Sequence, residues 1–165
     1  MKTTATTKGI GLIEAIVALS IISAALTGAV FAHRRFVAVA LQNSSRIKAA
    51  YLAEEGIEVA RYLRDTGWTA YIATLANGVA YHLVFATTTA SWIATTSVQT
   101  IDADFTRTIT FEPVYRRTLD QDIVASTSPN PKSIDPNIRK VTTRVTATGL
   151  RDTELSTYLS DLFEN

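Results

Sequence analysis

Glu14 is the one ionisable side chain between Ile10 and Ala32. A carboxylate in so apolar a run matters through its need for a partner. A charge near the centre of a membrane helix costs on the order of 2.5–3.5 kcal/mol on insertion scales, and less where it can reach the interface. Paired with a cation, it can instead fix the axial register of packed helices. The other reactive side chains do not gather. His33 and His82 stand far apart and unaccompanied, and His82 reads as a surface or hydrogen-bonded strand residue. Asp102/Asp104 and Asp120/Asp122 are Asp-x-Asp pairs, well short of the roughly six to eight oxygens that calcium takes, so no metal is expected. Glu54, Glu55 and Glu58 read as a solvated helix face. Arg34-Arg35 read as headgroup contacts and Arg116-Arg117 as solvent-facing. No nucleophile, base and oxyanion donors can be assembled into a set, so no catalytic residue and no cofactor is expected.

Composition narrows the classes further. The chain has 165 residues, enough for one modest domain plus an anchor. Its net charge of +1 gives no bulk electrostatic case for binding nucleic acid. Cysteine is absent, which excludes disulfides and thiolate metal sites. Threonine is abundant after residue 65 and suits exposed strands and polar loops.

The elements that must position Glu14 begin with the apolar run itself. As a helix, Ile10–Ala32 would measure about 34 Å, enough for a bilayer core of about 30 Å. No proline precedes Pro113, so the helix can continue. Ala49, Leu52, Ala53, Gly56, Val59, Ala60 and Leu63 recur at steps of three and four and form one apolar stripe. Arg61 can pair with Asp65 or Glu58 on the opposite side. Asp65-Thr66-Gly67 is the expected stop, with Gly67 as the C-terminal cap. Asn43-Ser44-Ser45 separates an all-round apolar half from an amphipathic half.

Beyond Gly67 the pattern turns to strands. Trp68 to Leu75 reads as a connector with Trp68 and Tyr71 packed under the helix. A turn at Asn77-Gly78 leads into an alternating strand through Val79, Tyr81, Leu83 and Phe85. Thr87 to Thr100 is ambiguous. Phe105, Ile109 and Phe111 mark a second strand that Pro113 should end or hold at an edge. Val141, Thr143, Val145 and Ala147 mark a third. Asp152 to Tyr158 marks a fourth, ending on Leu159, Leu162 and Phe163. The segment 118–137 carries three prolines and reads as an exposed loop. The expected fold class is α+β, one long helix on an antiparallel sheet of about four strands. The stripe should cover one sheet face and the threonines the other.

Three readings of the N-terminus follow from the residues. A secretory signal would be cut after Val30-Phe31-Ala32, before His33, but the run is long for such a signal and contains Glu14. A plain anchor is the second, though Lys2 and Lys8 before the run and Arg34 and Arg35 after it give no clear orientation. The third comes from resemblance. Gly9-Ile10-Gly11-Leu12-Ile13-Glu14 resembles the prepilin motif of type IV pilins and type II secretion pseudopilins. Leu12 and Glu14 match the family's leucine and glutamate, whereas Ile10 replaces the usual phenylalanine and Gly11 a small hydroxyl residue. Ala53-Glu54-Glu55-Gly56-Ile57-Glu58 is similar to a pattern in minor pilins, and Leu155–Leu159 to their last strand.

The resemblance implies a leader over 1–9, cleavage by prepilin peptidase between Gly9 and Ile10, and N-methylation of Ile10. It implies a filament-core membrane helix over 10–32, its amphipathic continuation over 33–66 and a β-rich domain over 67–165. Glu14, with Leu12, would then set register by meeting the freed Ile10 amine of a neighbour. Partners would be other pilin or pseudopilin subunits, the peptidase, an inner-membrane assembly platform and lipid. The expected place is the bacterial inner membrane as a single-pass protein, then a periplasmic or extracellular filament. The alternatives are a membrane-anchored or secreted adhesion-like binding domain and a DNA-uptake pilin.

Overall fold

The computed structural model describes residues 8–162, with side chains from Gly11 onward. Residues 1–7 of the expected leader (1–9) and Phe163 lie outside the described residues. One helix, α1, runs Lys8–Thr66. The chain forms two compact units, 1–44 and 45–165.

In the first unit every side chain from Gly11 to Ser44 is exposed. That exposure follows from a run apolar on all sides, which has no polar face to turn outward. The helix is long and apolar enough to cross a membrane. Its hydroxyls are satisfied locally: Ser20 Oγ donates to the Ile16 carbonyl at 2.7 Å and Thr27 Oγ1 to Ser23 at 2.8 Å. Such back-bonding removes the need for water around these groups.

In the second unit the C-terminal part of α1 lies on a sheet. The predicted stripe is the contact face. Ala49, Ala53, Gly56, Val59, Ala60 and Leu63 are buried, joined by Ile57, and Leu52 is half-buried. The helix stops at Thr66, but not by the expected glycine cap. Gly67 has φ 163°, an extended conformation, and its N–H donates to the Leu63 carbonyl at 3.2 Å. A single wide turn follows over Trp68–Ile72, closed by Ala73 N–H on the Trp68 carbonyl at 2.9 Å. It buries Trp68 and Ile72, whereas Tyr71 stays 42% exposed and does not pack under the helix.

Seven strands follow: β1 (Ala80–Ala86), β2 (Ser91–Thr95), β3 (Thr100–Ile101), β4 (Phe105–Arg117), β5 (Ile123–Val124), β6 (Lys132–Ala147) and β7 (Thr153–Ser160). The main order is β2-β1-β4-β6-β7, all antiparallel, with β3 and β5 also on β4. The four expected strands are β1, β4, β6 and β7, and β2, β3 and β5 are short additions. The core joins Ile57, Leu63 and Trp68 to Leu83, Ile109, Phe111, Val141 and Leu159. A second cluster joins Ala49 and Ala53 to Phe105 and Val145. Thr106, Thr108, Thr110 and Thr142 occupy the opposite, half-exposed face, as alternation requires.

Two strands outrun their expected ends. β4 passes through Pro113 to Arg117, and β6 begins at Lys132, within the segment expected to be loop. One edge of β4 pairs with β6 along its length. The other is covered piecewise by β3 at Phe105–Thr106, β1 at Ile109–Thr110 and β5 at Tyr115–Arg116. The Phe111 carbonyl accepts from Gly78 N–H at 2.9 Å, so Phe111 bonds toward the piecewise edge. Two residues on, the Pro113 nitrogen faces that same edge, in the gap between β1 and β5. The missing N–H therefore breaks no ladder bond. On β6 the register jumps from Arg139 to Asp135 opposite Pro113/Val114, which leaves Pro136 in a bulge. Prolines at a gap and a bulge are compatible with strands, and the loop shortens to the residues between β4 and β6, interrupted by β5.

Candidate functional site: an exposed apolar helix with one carboxylate

The first unit presents Glu14 among Ile13, Val17, Ala18 and Ile21 on one helix surface. Leu12 is 66% exposed, and Ile13, Val17 and Ile21 are exposed as well. Among the described residues no side chain bonds to the Glu14 carboxylate. At Gly9 and Ile10 only the helical backbone is described, so the expected cleavage point falls within α1 while its side-chain surroundings lie outside the described residues. Leu12 and Glu14 thus sit on one helix, two residues apart, both exposed.

In the second unit the charged residues form ion pairs, among them Arg116 and Arg117, which were expected to face solvent. Arg116 Nε bonds to Asp135 Oδ2 at 2.5 Å, and Arg117 lies against Asp120 at 3.2 Å and Asp122 at 3.6 Å. Asp102 takes Lys48 at 2.5 Å. Both Asp-x-Asp pairs are therefore engaged by cations. Arg61 pairs with Glu58 rather than Asp65, which takes Arg64. Among the described residues no group of three or more His, Asp and Glu could hold a metal ion.

One charge in the second unit is buried, and no expectation from the sequence covered it. Arg107 is 3% exposed on β4, in the inward row of Phe105, Ile109 and Phe111. Its Nη1 donates to Glu55 Oε2 at 2.5 Å and to the Leu52 carbonyl at 3.2 Å. Its guanidinium lies 5.9 Å from the centroid of the Trp92 ring. Glu55 is thus not part of a merely solvated face. The signal was available in the inward parity of Arg107 between Phe105 and Ile109. His82 also differs from expectation: it is buried, and its Nδ1 has no hydrogen-bond partner. Among the described residues it belongs to no cluster that could hold a metal ion.

Comparison with protein-family models, curated proteins and solved structures finds no match to this chain.

Proposed function

We propose that this chain is a minor pilin or pseudopilin, a structural subunit of a type IV pilus or a type II secretion-like filament. It is held in the bacterial inner membrane by the N-terminal part of α1 and passes from there into a periplasmic or extracellular filament. Cleavage after Gly9 by a prepilin peptidase frees the Ile10 amine, which is then methylated. In the packed helical array, Glu14 of one copy meets that amine on the next. The observation that carries this reading is Glu14 itself, exposed and without a bonding partner among the described residues, on a helix apolar enough to cross a membrane. A solitary carboxylate is costly in lipid and favourable once a cation from a neighbour reaches it.

N-terminal sequencing of the mature protein tests the proposal. Methylated Ile10 is the expected first residue. His33 would mean an exported domain released from a secretory signal, and Met1 a simple tethered domain. Either would end the filament reading.

A further inference from the structure

The sheet face turned away from α1 carries a groove of about 540 Å³, within the size range of small-ligand sites. One cross-strand row lines it: Glu112 of β4 stands opposite Lys140 of β6, and Lys140 opposite Tyr158 of β7. Residues directly opposite on antiparallel strands share a face, so the three side chains project together. Asn77, in the turn before β1, and Pro113, at the gap in the β4 edge, line the same groove.

Lys140 Nζ donates to Glu112 Oε2 at 3.1 Å, so the two charges compensate each other and neither selects an ion. What remains is a donor and an acceptor side by side, each about half exposed and able to bond to further groups. Asn77 Oδ1 accepts from Arg139 Nη1, which leaves the Nδ2 hydrogens without a partner among the described residues. The Pro113 carbonyl faces the gap between β1 and β5 with its nitrogen and adds an acceptor. Tyr158 is 55% exposed, and no ring or cation lies against its ring among the described residues.

An open aromatic ring beside neutralised donors and acceptors suits a ligand that is uncharged and rich in hydroxyls. The C–H face of a sugar ring stacks on an aromatic side chain, while its neighbouring hydroxyls both donate and accept. An apolar ligand would strip water from the ion pair and the amide without replacing it. A charged ligand would find its counter-charge already taken. We propose that this groove binds a neutral saccharide, with Tyr158 as the stacking ring and Glu112, Lys140 and Asn77 as its hydrogen-bonding groups. The proposal goes beyond the filament reading and does not depend on it, because the groove lies wholly within the second unit.

A glycan array bearing neutral, sialylated and sulfated oligosaccharides tests it. The tagged full chain is applied in a phosphocholine detergent, whose headgroup is not a sugar. Binding to neutral glycans, undiminished by high salt, is the expected result. Tyr158→Ala should lower the affinity for the best of them about tenfold or more, and Tyr158→Phe, which keeps the ring, should retain most of it. Glu112→Ala and Asn77→Ala should each weaken binding severalfold. Tyr71→Ala, at an exposed tyrosine outside the groove, should change nothing. Thermal melts of every variant separate lost binding from lost folding, and Glu112→Ala and Asn77→Ala decide the matter where Tyr158→Ala also lowers the melting temperature. No neutral glycan bound, a preference for acidic glycans that salt abolishes, or binding that ignores the groove variants overturns the proposal. A loss shared by Tyr71→Ala overturns it as well.

Discussion

Gly56 of α1 faces Thr143 of β6 so closely that a β-carbon on the glycine would lie 2.6 Å from Thr143 Cγ2 and 2.9 Å from its Oγ1. Arg107 Cδ would stand at 3.2 Å. Thr143 is fully buried at the centre of the sheet, so it has little room to retreat. Gly56→Ala gains about 1 kcal/mol of helix propensity but overpacks a rigid contact, at about 1–3 kcal/mol. The expected outcome is a lower melting temperature for the full chain in detergent. Thr143→Ala should relieve the overlap, so the double variant should be more stable than the two single effects predict. Additive effects would mean that the helix and sheet do not meet through this pair.

The Arg107–Glu55 pair is asymmetric, because Arg107 is 3% and Glu55 45% exposed at the side chain. Removing the acid strands a buried cation, and removing the base leaves a carboxylate that water can reach. Glu55→Ala should therefore cost about 2–4 kcal/mol, and Arg107→Met about 1 kcal/mol or less, since Met fills much of the same apolar space. The Leu52 carbonyl lies inside the helix, so its loss of Arg107 is minor. Chemical denaturation of both variants checks the order. A reversed order would contradict the assignment of the buried partner.

The contrast between these residues also explains what the sequence could disclose. The stripe through Gly56 was legible because helix periodicity acts within a few residues. The inward rows of β4 and β6 were legible for the same reason at period two, whereas β1 departs from alternation, with His82 buried beside Leu83 and Phe85 48% exposed. Arg107 was not, because its reason for being buried is Glu55, far away in sequence. β6 was cut short because Pro136 breaks a strand by local rules, and only the bulge opposite Pro113/Val114 accommodates it. Short strands such as β3 and β5 exist because β4 offers an edge, not because their residues demand it. The cation proposed for Glu14 belongs to another molecule, and no single chain contains it.

Asp135 gives the folded domain an acid-sensitive contact. Burial is the largest single influence and opposes ionisation, but the Arg116 hydrogen bond, the Asn137 N–H and the Arg116 charge together outweigh it. The carboxyl is therefore held below its ordinary value of 3.8. A depressed acid contributes stability that is fully present above its unfolded pKa of about 3.9 and is lost as pH falls through the folded value. Stability should thus decline below about pH 4, in part through this group. Asp135→Asn should be less stable near neutral pH and should show a shallower decline on acidification. Denaturation midpoints at a series of pH values measure both, and parallel curves for the two proteins would exclude Asp135 as a contributor.

Pro113 offers a test of the piecewise edge of β4. Its nitrogen faces the gap between β1 and β5, so a restored N–H at that position would meet space rather than a carbonyl of the ladder. Pro113→Thr should change stability by no more than about 1 kcal/mol, the unfolded-chain entropy of the proline being the main loss. Thr142→Pro lies between β4 and β7 in paired strand and should cost about 3 kcal/mol or more. Thermal melts of the two variants distinguish the positions. Comparable damage from both would place Pro113 inside a paired ladder.

In the proposed filament Glu14 acts in assembly and not in folding. Glu14 belongs to the first unit, so Glu14→Ala should leave the melting of the second unit unchanged. Removing a lone carboxylate from an apolar helix also makes membrane insertion easier, by an amount on the order of 1 kcal/mol or more at that depth. Membrane-fraction levels should therefore persist, while the sheared filament fraction should lose the variant. Glu14→Gln keeps the shape and removes the charge, so it separates packing from pairing: it should fail to assemble as the alanine variant does. Immunoblots of the two fractions, read beside the N-terminal sequence, give the answer. Entry of either variant into filaments at the wild-type level would show that the carboxylate does not hold the array together.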